Sequence, residues 1–262
     1  IAQKRVRDVV IIGGGFIGLE MAENLVRSGI HTSILEMQDQ VLPPFDAEMV
    51  RSLEDHLRAR GVALYLGDAL TGFEADAAGG RLTVHAKSGL KLPADLVILS
   101  IGVRPETTLA KACGLTIGER GGIRVDDRMR TSDPAIWAVG DSVEKHDFLT
   151  GEWTTVPLAG PANRQGRVAA DNIFGRPSVF RGVQGTAVCK AFDQVAALTG
   201  LGEKTLRRLG KPYEKIFLHP GHHAGYYPDA KPIHMKLLFA PEDGKVLGAQ
   251  AVGEEGVEKR ID

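Results

Sequence analysis

The sequence predicts an α/β fold in which a domain built on a parallel sheet carries an antiparallel meander. Part of a second α/β domain and a C-terminal α+β domain are expected to follow. Two observations lead to this prediction. Strand-like and helix-like segments alternate over the first 60 residues, which is typical of a parallel sheet. Beyond about residue 176 the segments are mostly strand-like, which indicates a separate domain.

The first domain begins with four segments in the order strand, helix, strand, helix. Asp8–Ile12 is rich in β-branched residues and ends in glycines, so we expect a buried strand. Phe16–Ser28 places apolar residues at helical spacing, and Thr32–Glu36 predicts the second strand. Asp46 is a suitable N-cap for a helix over residues 47–60.

A change of pattern after these segments predicts an antiparallel meander inserted into the parallel fold. Its three short strands are expected at residues 70–73, 81–86 and 90–92, separated by turn signals at 78–80 and 88–89. Asp95–Ser100 is a further strong strand. The chain then predicts a short helix from Arg104, a hairpin near Ile123, a strand over Ala135–Val139 and a helix over Gly160–Ile173.

The C-terminal segments are predicted strands. They cover residues 186–192, 213–218, 233–240 and 245–252, and a hairpin turn at 242–244 joins the last two. We therefore divide the chain into domains at residues 1–103, 104–175 and 176–262.

The charge balance and the cysteine content exclude several classes of protein. Lys and Arg number 32 and Asp and Glu number 33, which argues against bulk electrostatic capture of nucleic acid or of an anionic membrane. The sequence has no apolar run of about 18 residues, the length of a membrane span. Two distant cysteines without a CxxC motif favour a reducing compartment, so we expect a cytoplasmic protein.

The N-terminus also carries information. No long apolar stretch follows the basic residues at the start, which argues against a signal peptide. The chain begins with Ile1 rather than Met, so we expect it to be a piece of something longer.

A glycine-rich loop lies between the first predicted strand and helix. Its sequence, Gly13-Gly14-Gly15-Phe16-Ile17-Gly18, is a GxGxxG motif in the context that makes the first domain Rossmann-like. Gly13 permits the tight turn, Gly15 lets the backbone approach a pyrophosphate, and Gly18 allows the helix to pack closely on the strand. The free N–H groups and the positive dipole end of the helix then favour phosphates.

An acidic residue accompanies this loop. Glu36 ends the second strand, 21 residues after Gly15, where a carboxylate accepts hydrogen bonds from the adenine-ribose hydroxyls. The alternative is a structural glycine turn beside a solvent-facing Glu36. A 2′-phosphate at about 4 Å from this carboxylate would meet repulsion of up to about 4 kcal/mol. Because no Arg or Lys lies between Met37 and Asp46, NADH is favoured over NADPH.

A second motif, Thr131–Asp141, predicts a strand that delivers Gly140 and Asp141 at its C-terminal end, where α/β folds bind ligands. On the residues alone it is only a strand followed by an acidic turn. Together with residues 13–20 and 101–105, it resembles in order the signatures of the pyridine nucleotide-disulfide oxidoreductases, flavoproteins with FAD, NAD(P)H and interface domains. Residues 157–167 and 223–228 resemble the branch of coenzyme A-disulfide and persulfide reductases.

The resemblance implies roles in the first domain. The NADH pyrophosphate would be held by Gly13, Gly14, Gly15, Phe16, Ile17 and Gly18. Phe16 stands where the family more often has a Tyr that gates the nicotinamide pocket, so gating is expected to differ slightly. Glu20 would lie near the nicotinamide carboxamide, and Gly102 would line the nicotinamide side.

The resemblance also implies roles in the rest of the chain. Asp141 would bind the FAD ribityl chain, and Ala159 with the following helix N-terminus would face the flavin pyrimidine edge, which makes residues 104–175 the C-terminal part of a FAD-binding domain. Asn163 would contact coenzyme A substrates. Tyr226 and Tyr227 would reach the partner subunit's active site across a homodimer interface formed by residues 176–262; alternatively, both cap their own sheet.

The family's N-terminal FAD half-domain, with its own GxGxxG, and its redox cysteine have no counterpart in this sequence. The chain therefore resembles a middle-to-C-terminal fragment with an incomplete interface domain, and no catalytic residue is assigned. Cys113 and Cys189 have neither a cysteine partner nor an evident cationic site that would lower the thiol pKa, so we interpret both as structural. The three histidines at 219, 222 and 223 lack convincing metal-ligand spacing, and residues 203–208 are interpreted as a solvated helix face.

The leading hypothesis is part of an enzyme that passes a hydride from NADH to FAD and the electrons on to a disulfide, persulfide or coenzyme A-disulfide. The chain by itself is not expected to be catalytically complete or to retain stoichiometric FAD. One alternative is an NADH oxidase or peroxidase of the same family. Another is a non-catalytic module that binds NADH and dimerises.

Overall fold

A computed structural model describes residues 6–76 and 80–261. The chain divides into two compact units. The first contains the chain up to Gly102, Val188–Leu198 and the chain from Gly202 onward, and the second contains Val103–Ala187 with Thr199–Leu201. The division into domains at residues 1–103, 104–175 and 176–262 stays a prediction.

The first unit opens with the expected alternation of strands and helices. Its elements are β1 (Asp8–Ile12), α1 (Phe16–Arg27), β2 (His31–Glu36), α2 (Ala47–Ala59), β3 (Val62–Leu66), β4 (Leu70–Ala75), β5 (Leu82–Ala86), β6 (Lys91–Ala94) and β7 (Leu96–Leu99). The order β3-β2-β1-β7 forms a parallel sheet, with Ile11 opposite both Ile34 and Ile98. The predicted α/β fold class is confirmed.

The meander is also confirmed. Strands β4, β5 and β6 pair antiparallel in that order, and Val84, Ala86, Leu92 and Ala94 turn buried side chains against β1 and β2 residues such as Val10 and Leu35. The predicted turn at 78–80 lies mostly outside the described residues, whereas the turn at 88–89 is present, with Gly89 at a φ of +92°.

Helix α2 begins where the sequence predicts, but Asp46 does not cap it with its side chain. Asp46 occupies the N-cap position, and its carboxylate makes no hydrogen bond to the first turn of the helix. Instead it accepts from the buried Nζ of Lys236 at 2.7 Å, from Nε2 of Gln250 at 2.8 Å and from the backbone N–H of Glu203 at 3.0 Å. Distant polar groups have replaced the local cap.

The second unit is less regular than predicted. It contains α3 (Thr108–Ala112), β8 (Ile123–Arg124), β9 (Val143–His146), β10 (Trp153–Thr154) and α4 (Ala159–Ile173). The hairpin near Ile123 is present as an antiparallel bridge from Ile117 to Ile123. Helix α4 begins one residue before the predicted Gly160.

The predicted strand over Ala135–Val139 is wrong. In this segment Trp137 makes only an isolated bridge to Arg130, and the strand comes later, at β9. The reason is local: Asp133 Oδ1 accepts from the N–H of Ala135, and the carbonyl of Asp133 accepts from the N–H of Ile136. These turn contacts, with Pro134 between them, use the groups that a strand ladder needs.

The remaining strands form one five-stranded sheet, which belongs to the first unit except for Ala187, Thr199 and Gly200. Its elements are β11 (Ala187–Ala191), β12 (Gln194–Gly200), α5 (Glu203–Arg208), β13 (Glu214–Leu218), β14 (Ile233–Phe239), β15 (Val246–Gly253) and α6 (Glu258–Ile261), with the strand order β11-β12-β15-β14-β13. Strand β12 was not predicted, and the hairpin turn at 242–244 is confirmed by the hydrogen bond from Gly244 N–H to the carbonyl of Ala240.

A buried charge cluster joins this sheet to the N-terminus of α2. Lys236 of β14 is 1% exposed and donates to the carboxylates of Asp46, Glu48 and Glu203. Residues 203–208 are therefore not simply a solvated face, because Glu203 is 4% exposed and also accepts from Lys215 and Tyr213. The ammonium of Lys236 balances part of the charge of the three carboxylates, of which Asp46 and Glu203 are buried and Glu48 is exposed.

Glu203 makes the stability of the protein sensitive to acid. Burial by itself would raise the pKa of Glu203, but hydrogen bonds from Lys215, Lys236 and Tyr213 lower this pKa to about 2. A depressed carboxyl pKa stabilises the fold fully above the ordinary value near 4.5 and loses that stabilisation as the pH falls towards 2.

We therefore expect the free energy of unfolding to drop by on the order of 3 kcal/mol between pH 5 and pH 2 through Glu203. Urea titrations at a series of pH values measure it. The variant Glu203→Gln should flatten this part of the profile, whereas substitution of the exposed neighbour Lys204 should not. An unchanged profile in Glu203→Gln would contradict the assignment.

Candidate functional site

The glycine loop connects β1 to α1 at the carboxyl edge of the parallel sheet. Gly13 has a φ of +108°, and a Cβ there would lie 2.5 Å from the carbonyl oxygen of Ser100. A Cβ on Gly18 would overlap the carbonyl oxygen of Gly13. Around Gly15, which is the N-cap of α1, a Cβ would meet nothing within 4 Å. Two glycines are thus needed for the turn and its packing, and Gly15 keeps the approach to the helix N-terminus open.

Both backbone hydrogen-bonding groups of Gly14 have partners. Its N–H donates to Oε2 of Glu36 at 2.6 Å, and its carbonyl accepts from the N–H of Leu42 at 2.8 Å. The other carboxylate oxygen of Glu36 accepts from the N–H of Gln38 at 2.8 Å. Glu36 is 7% exposed, so it is not the solvent-facing side chain of the structural alternative. It lies against the loop, where it can orient both the loop and a ligand.

Ser100, which directly follows β7, ties the loop to the sheet and was missed by the sequence analysis. Its Oγ lies 2.9 Å from the carbonyl oxygen of Ile12 and 3.0 Å from that of Gly13, so its single hydroxyl proton is shared between these two acceptors. The available signal was its place at the end of the predicted strand Asp95–Ser100. That this strand lies beside β1 follows only from the sheet order.

The other predicted residues of this site lie around the same edge. Gly102 follows β7, is exposed and has a φ of +102°. On α1, Ile17 and Glu20 are exposed, and Phe16 is half-buried against the core. Because β7 is the neighbour of β1, the structure brings Gly102 and the glycine loop to one edge of the sheet, where open α/β sheets bind ligands.

A second group of predicted residues lies in the second unit. Asp141 is exposed and follows Gly140, which has a φ of +87°. Helix α4 begins at Ala159, its N-cap Leu158 provides no side-chain cap, and Asn163 is exposed on its second turn. The first-turn N–H groups of such a helix form a site for negative charge.

Gln165 connects the two halves of this group. Its Oε1 accepts from the N–H of Gly140 at 2.7 Å, and the residue is 3% exposed. The structure therefore places the Gly140–Asp141 turn beside α4. Gln165 was not predicted from the sequence, where its signal was a polar residue three positions before the buried Val168 on the same helix face.

The two tyrosines form an exposed pair in the first unit. Tyr226 is 83% exposed and Tyr227 is 59% exposed, and their ring centroids are 4.7 Å apart. The N–H of Tyr227 donates to the carbonyl of Ala224 in a turn. Neither tyrosine is buried against its own sheet in the isolated chain.

The two cysteines differ in their exposure to solvent. Burial, together with the charges of Glu20 and Glu23, raises the pKa of Cys189 to about 12, which keeps the thiol protonated. Cys113 is exposed at the end of α3.

Three acidic side chains are arranged as metal ligands could be, but a lysine ammonium already lies among them. Among the described residues, the carboxylates of Asp46, Glu48 and Glu203 come close enough together to hold an ion, but the ammonium of Lys236 donates to all three. His219 pairs its Nδ1 with Nδ1 of His234 at 2.8 Å.

Comparison with known proteins connects both groups of residues to one family. Residues 1–166 match the pyridine nucleotide-disulphide oxidoreductase family, and residues 186–262 match the dimerisation domain of that family. A NAD(P)H sulfur oxidoreductase (CoA-dependent) from Pyrococcus abyssi is 37% identical over 261 residues, 99% of this chain and 57% of that protein. An NADH oxidase from Methanocaldococcus jannaschii is 39% identical over 265 residues, 100% of this chain and 58% of that protein.

A solved structure shares the fold over the whole chain. Reduced Bacillus anthracis CoADR-RHD superposes with a TM-score of 0.95 at 46% identity, covering 100% of this chain and 46% of that chain. The chain thus spans about half the length of the relatives it matches. In the part of the chain that the structure describes, no helix combines the length and apolar character needed to cross a membrane.

Proposed function

The chain belongs to the pyridine nucleotide-disulphide oxidoreductase family, and from this premise we propose that it forms the NADH-binding part and the C-terminal FAD-binding part of a flavoprotein reductase. The complete protein passes a hydride from NADH to FAD and the electrons on to a disulfide, persulfide or coenzyme A-disulfide. The observation that carries the proposal is the open N-terminus of α1 at Gly15, with the Glu36 carboxylate buried beside the same loop.

The residues of the first unit fit a dinucleotide. The open space at Gly15 admits a pyrophosphate, which would accept hydrogen bonds from the N–H groups of the first turn of α1. Each carboxylate oxygen of Glu36 has a further lone-pair position beside its backbone donor, so it can also accept from a ribose hydroxyl. Glu20 and Gly102 would then lie towards the nicotinamide end, with Phe16 at the gate.

The second unit fits the flavin part of the proposal. The exposed carboxylate of Asp141 would accept hydrogen bonds from ribityl hydroxyls, and the first turn of α4 from Ala159 would favour negative charge on a bound ring. FAD, when bound there, supplies the chemistry that links a two-electron hydride donor to a thiol-based acceptor. Asn163 is proposed to contact a coenzyme A substrate.

The C-terminal part is proposed to form a homodimer, with Tyr226 and Tyr227 reaching the partner's active site. The match of residues 186–262 to the family's dimerisation domain supports this assembly. The large exposure of both tyrosines supports it too, since paired aromatics with polar tips suit interfaces. The proposed domain limits are those given above, at residues 1–103, 104–175 and 176–262.

NADH is expected to bind at least about tenfold more tightly than NADPH, because a 2′-phosphate beside Glu36 meets a like charge. Titration of the full-length protein with both dinucleotides by fluorescence measures the ratio. Glu36→Gln, which keeps an acceptor for Gly14 but removes the charge, should reduce the preference. Asp39→Asn, at an exposed position three residues on, is the matched control. Equal affinities in the wild type would contradict the proposal.

The reaction is tested with the full-length protein. We expect a flavin absorption spectrum that NADH bleaches, followed by NADH oxidation when coenzyme A disulfide or a persulfide is added under argon. The relative from M. jannaschii, an NADH oxidase, suggests a second candidate function. This function predicts oxidation of NADH that requires oxygen and does not respond to added disulfides. Absence of any flavin or NADH signal would refute both candidates.

A further inference from the structure

Gln165 is a buried amide on a helix face that otherwise enters an apolar core. On α4 the buried residues are Gln165, Val168 and Ala169, and the last two pack with Met129 and Phe180. An amide in such a place is unfavourable unless its polar atoms are hydrogen-bonded. Its function is therefore indicated by what it contacts.

The contact of Gln165 is with the backbone of the turn that carries Asp141. Oε1 of Gln165 accepts from the N–H of Gly140 at 2.7 Å. Gly140 has a φ of +87°, a left-handed conformation, and its carbonyl accepts from the N–H of Val143 at 3.2 Å. Both hydrogen-bonding groups of Gly140 are thus engaged, and its peptide fixes the direction in which the chain enters Asp141.

The same amide belongs to the second turn of the helix that begins at Ala159. Gln165 is six residues after Ala159, near the second turn of α4, and Asp141 directly follows Gly140. A single hydrogen bond therefore ties the backbone next to an exposed carboxylate to the helix whose first turn carries the N–H groups of Ala159 and Gly160. The acceptor is neutral, so it adds no negative charge near a helix end that favours anions.

We propose that Gln165 is a positioning residue that holds the Gly140–Asp141 turn against α4, so that the carboxylate of Asp141 and the N-terminus of α4 bind the same flavin nucleotide. The inference rests on the proposed function, because it takes the ligand of Asp141 to be FAD. Gln165 itself touches no part of the ligand in this proposal. It acts on FAD affinity only through the conformation of the turn.

The experiment uses the full-length protein from which FAD has been removed. FAD is titrated back and its dissociation constant is read from flavin fluorescence, with the visible spectrum of the bound flavin as a second readout. Gln165→Met keeps the size but removes the acceptor, and we expect it to raise the dissociation constant at least about tenfold. Gln165→Glu retains an oxygen acceptor, and burial favours the protonated, neutral form of its carboxyl group, so at pH 5 this variant should stay within about threefold of wild type.

A double-variant cycle distinguishes positioning from general stability. If Gln165 acts through Asp141, Gln165→Met combined with Asp141→Asn should bind FAD no more than about twofold more weakly than Asp141→Asn alone. A merely structural role would instead multiply the two losses and would not be rescued by Gln165→Glu. Should Gln165→Met fail to fold, Gln165→Asn, whose amide is too short to reach Gly140, takes its place in the cycle.

Each outcome decides the inference. Multiplicative losses, or an unchanged dissociation constant in Gln165→Met, would overturn the role of Gln165 and leave the proposed function intact. A wild-type protein that binds no FAD would overturn both, and that result is seen before any variant is measured.

Discussion

Replacing Lys236 with methionine is expected to lower the free energy of unfolding by about 3–5 kcal/mol. The change leaves the carboxylates of Asp46, Glu48 and Glu203 facing one another without their common cation. Lys236 and Glu203 are almost fully buried, so water compensates poorly for the lost ammonium except at Glu48, whose side chain is 47% exposed. Urea unfolding followed by circular dichroism measures the loss.

The matched control for Lys236→Met is Lys215→Met. Lys215 also contacts Glu203, at 2.8 Å, but its side chain is 42% exposed, so its removal should cost less than about 1 kcal/mol. Adding Asp46→Asn and Glu203→Gln to Lys236→Met should recover part of the loss, because the repelling charges are then gone. A Lys236→Met protein as stable as Lys215→Met would show that the cluster does not depend on its cation.

Substitution of single glycines in the loop should separate folding from ligand binding. Gly18→Ala places a Cβ on the carbonyl oxygen of Gly13, and we expect it to destabilise the protein by about 1–3 kcal/mol and to abolish NADH binding. In Gly15→Ala the added methyl group meets no protein atom within 4 Å, so the protein should lose less than about 1 kcal/mol of stability, the cost of a poorer N-cap. Its methyl group enters the space proposed for the pyrophosphate and should weaken NADH binding at least about tenfold.

Thermal unfolding and NADH titration of the same preparations test this contrast. Gly166→Ala on α4, where a Cβ also meets nothing within 4 Å, is the control for a harmless added methyl. Full NADH affinity in Gly15→Ala would contradict the proposed path of the pyrophosphate. Equal stability of Gly18→Ala and wild type would contradict the close packing of α1 on the loop.

Much of the fold followed from local patterns. The alternation of β-branched runs with helical spacing up to residue 60 predicted β1, α1, β2 and α2 to within about a residue, and turn residues predicted the meander and the last hairpin. Strand β12 went unpredicted and the strand over Ala135–Val139 was wrong. In the second case side-chain and backbone turn contacts around Asp133 outweighed the β propensity of the segment.

The glycine loop could be predicted because its requirements are local. A tight turn, a close helix contact and an open helix start each require a residue without a side chain at a fixed position in the loop. The spacing of Gly13, Gly15 and Gly18 therefore predicts the loop geometry. Glu36 was found for the same reason, since the length of a strand-helix-strand unit sets its distance from the loop.

The partners of the polar side chains were decided only by the tertiary structure. Asp46 has the sequence features of an N-cap, yet its carboxylate binds Lys236 and Gln250, the latter 204 residues away. Gln165 reads as an ordinary helix residue until the fold brings Gly140 to it. A residue type and its spacing determine backbone conformation over a few residues, whereas a buried donor or acceptor takes whichever partner the packed chain places within about 3 Å.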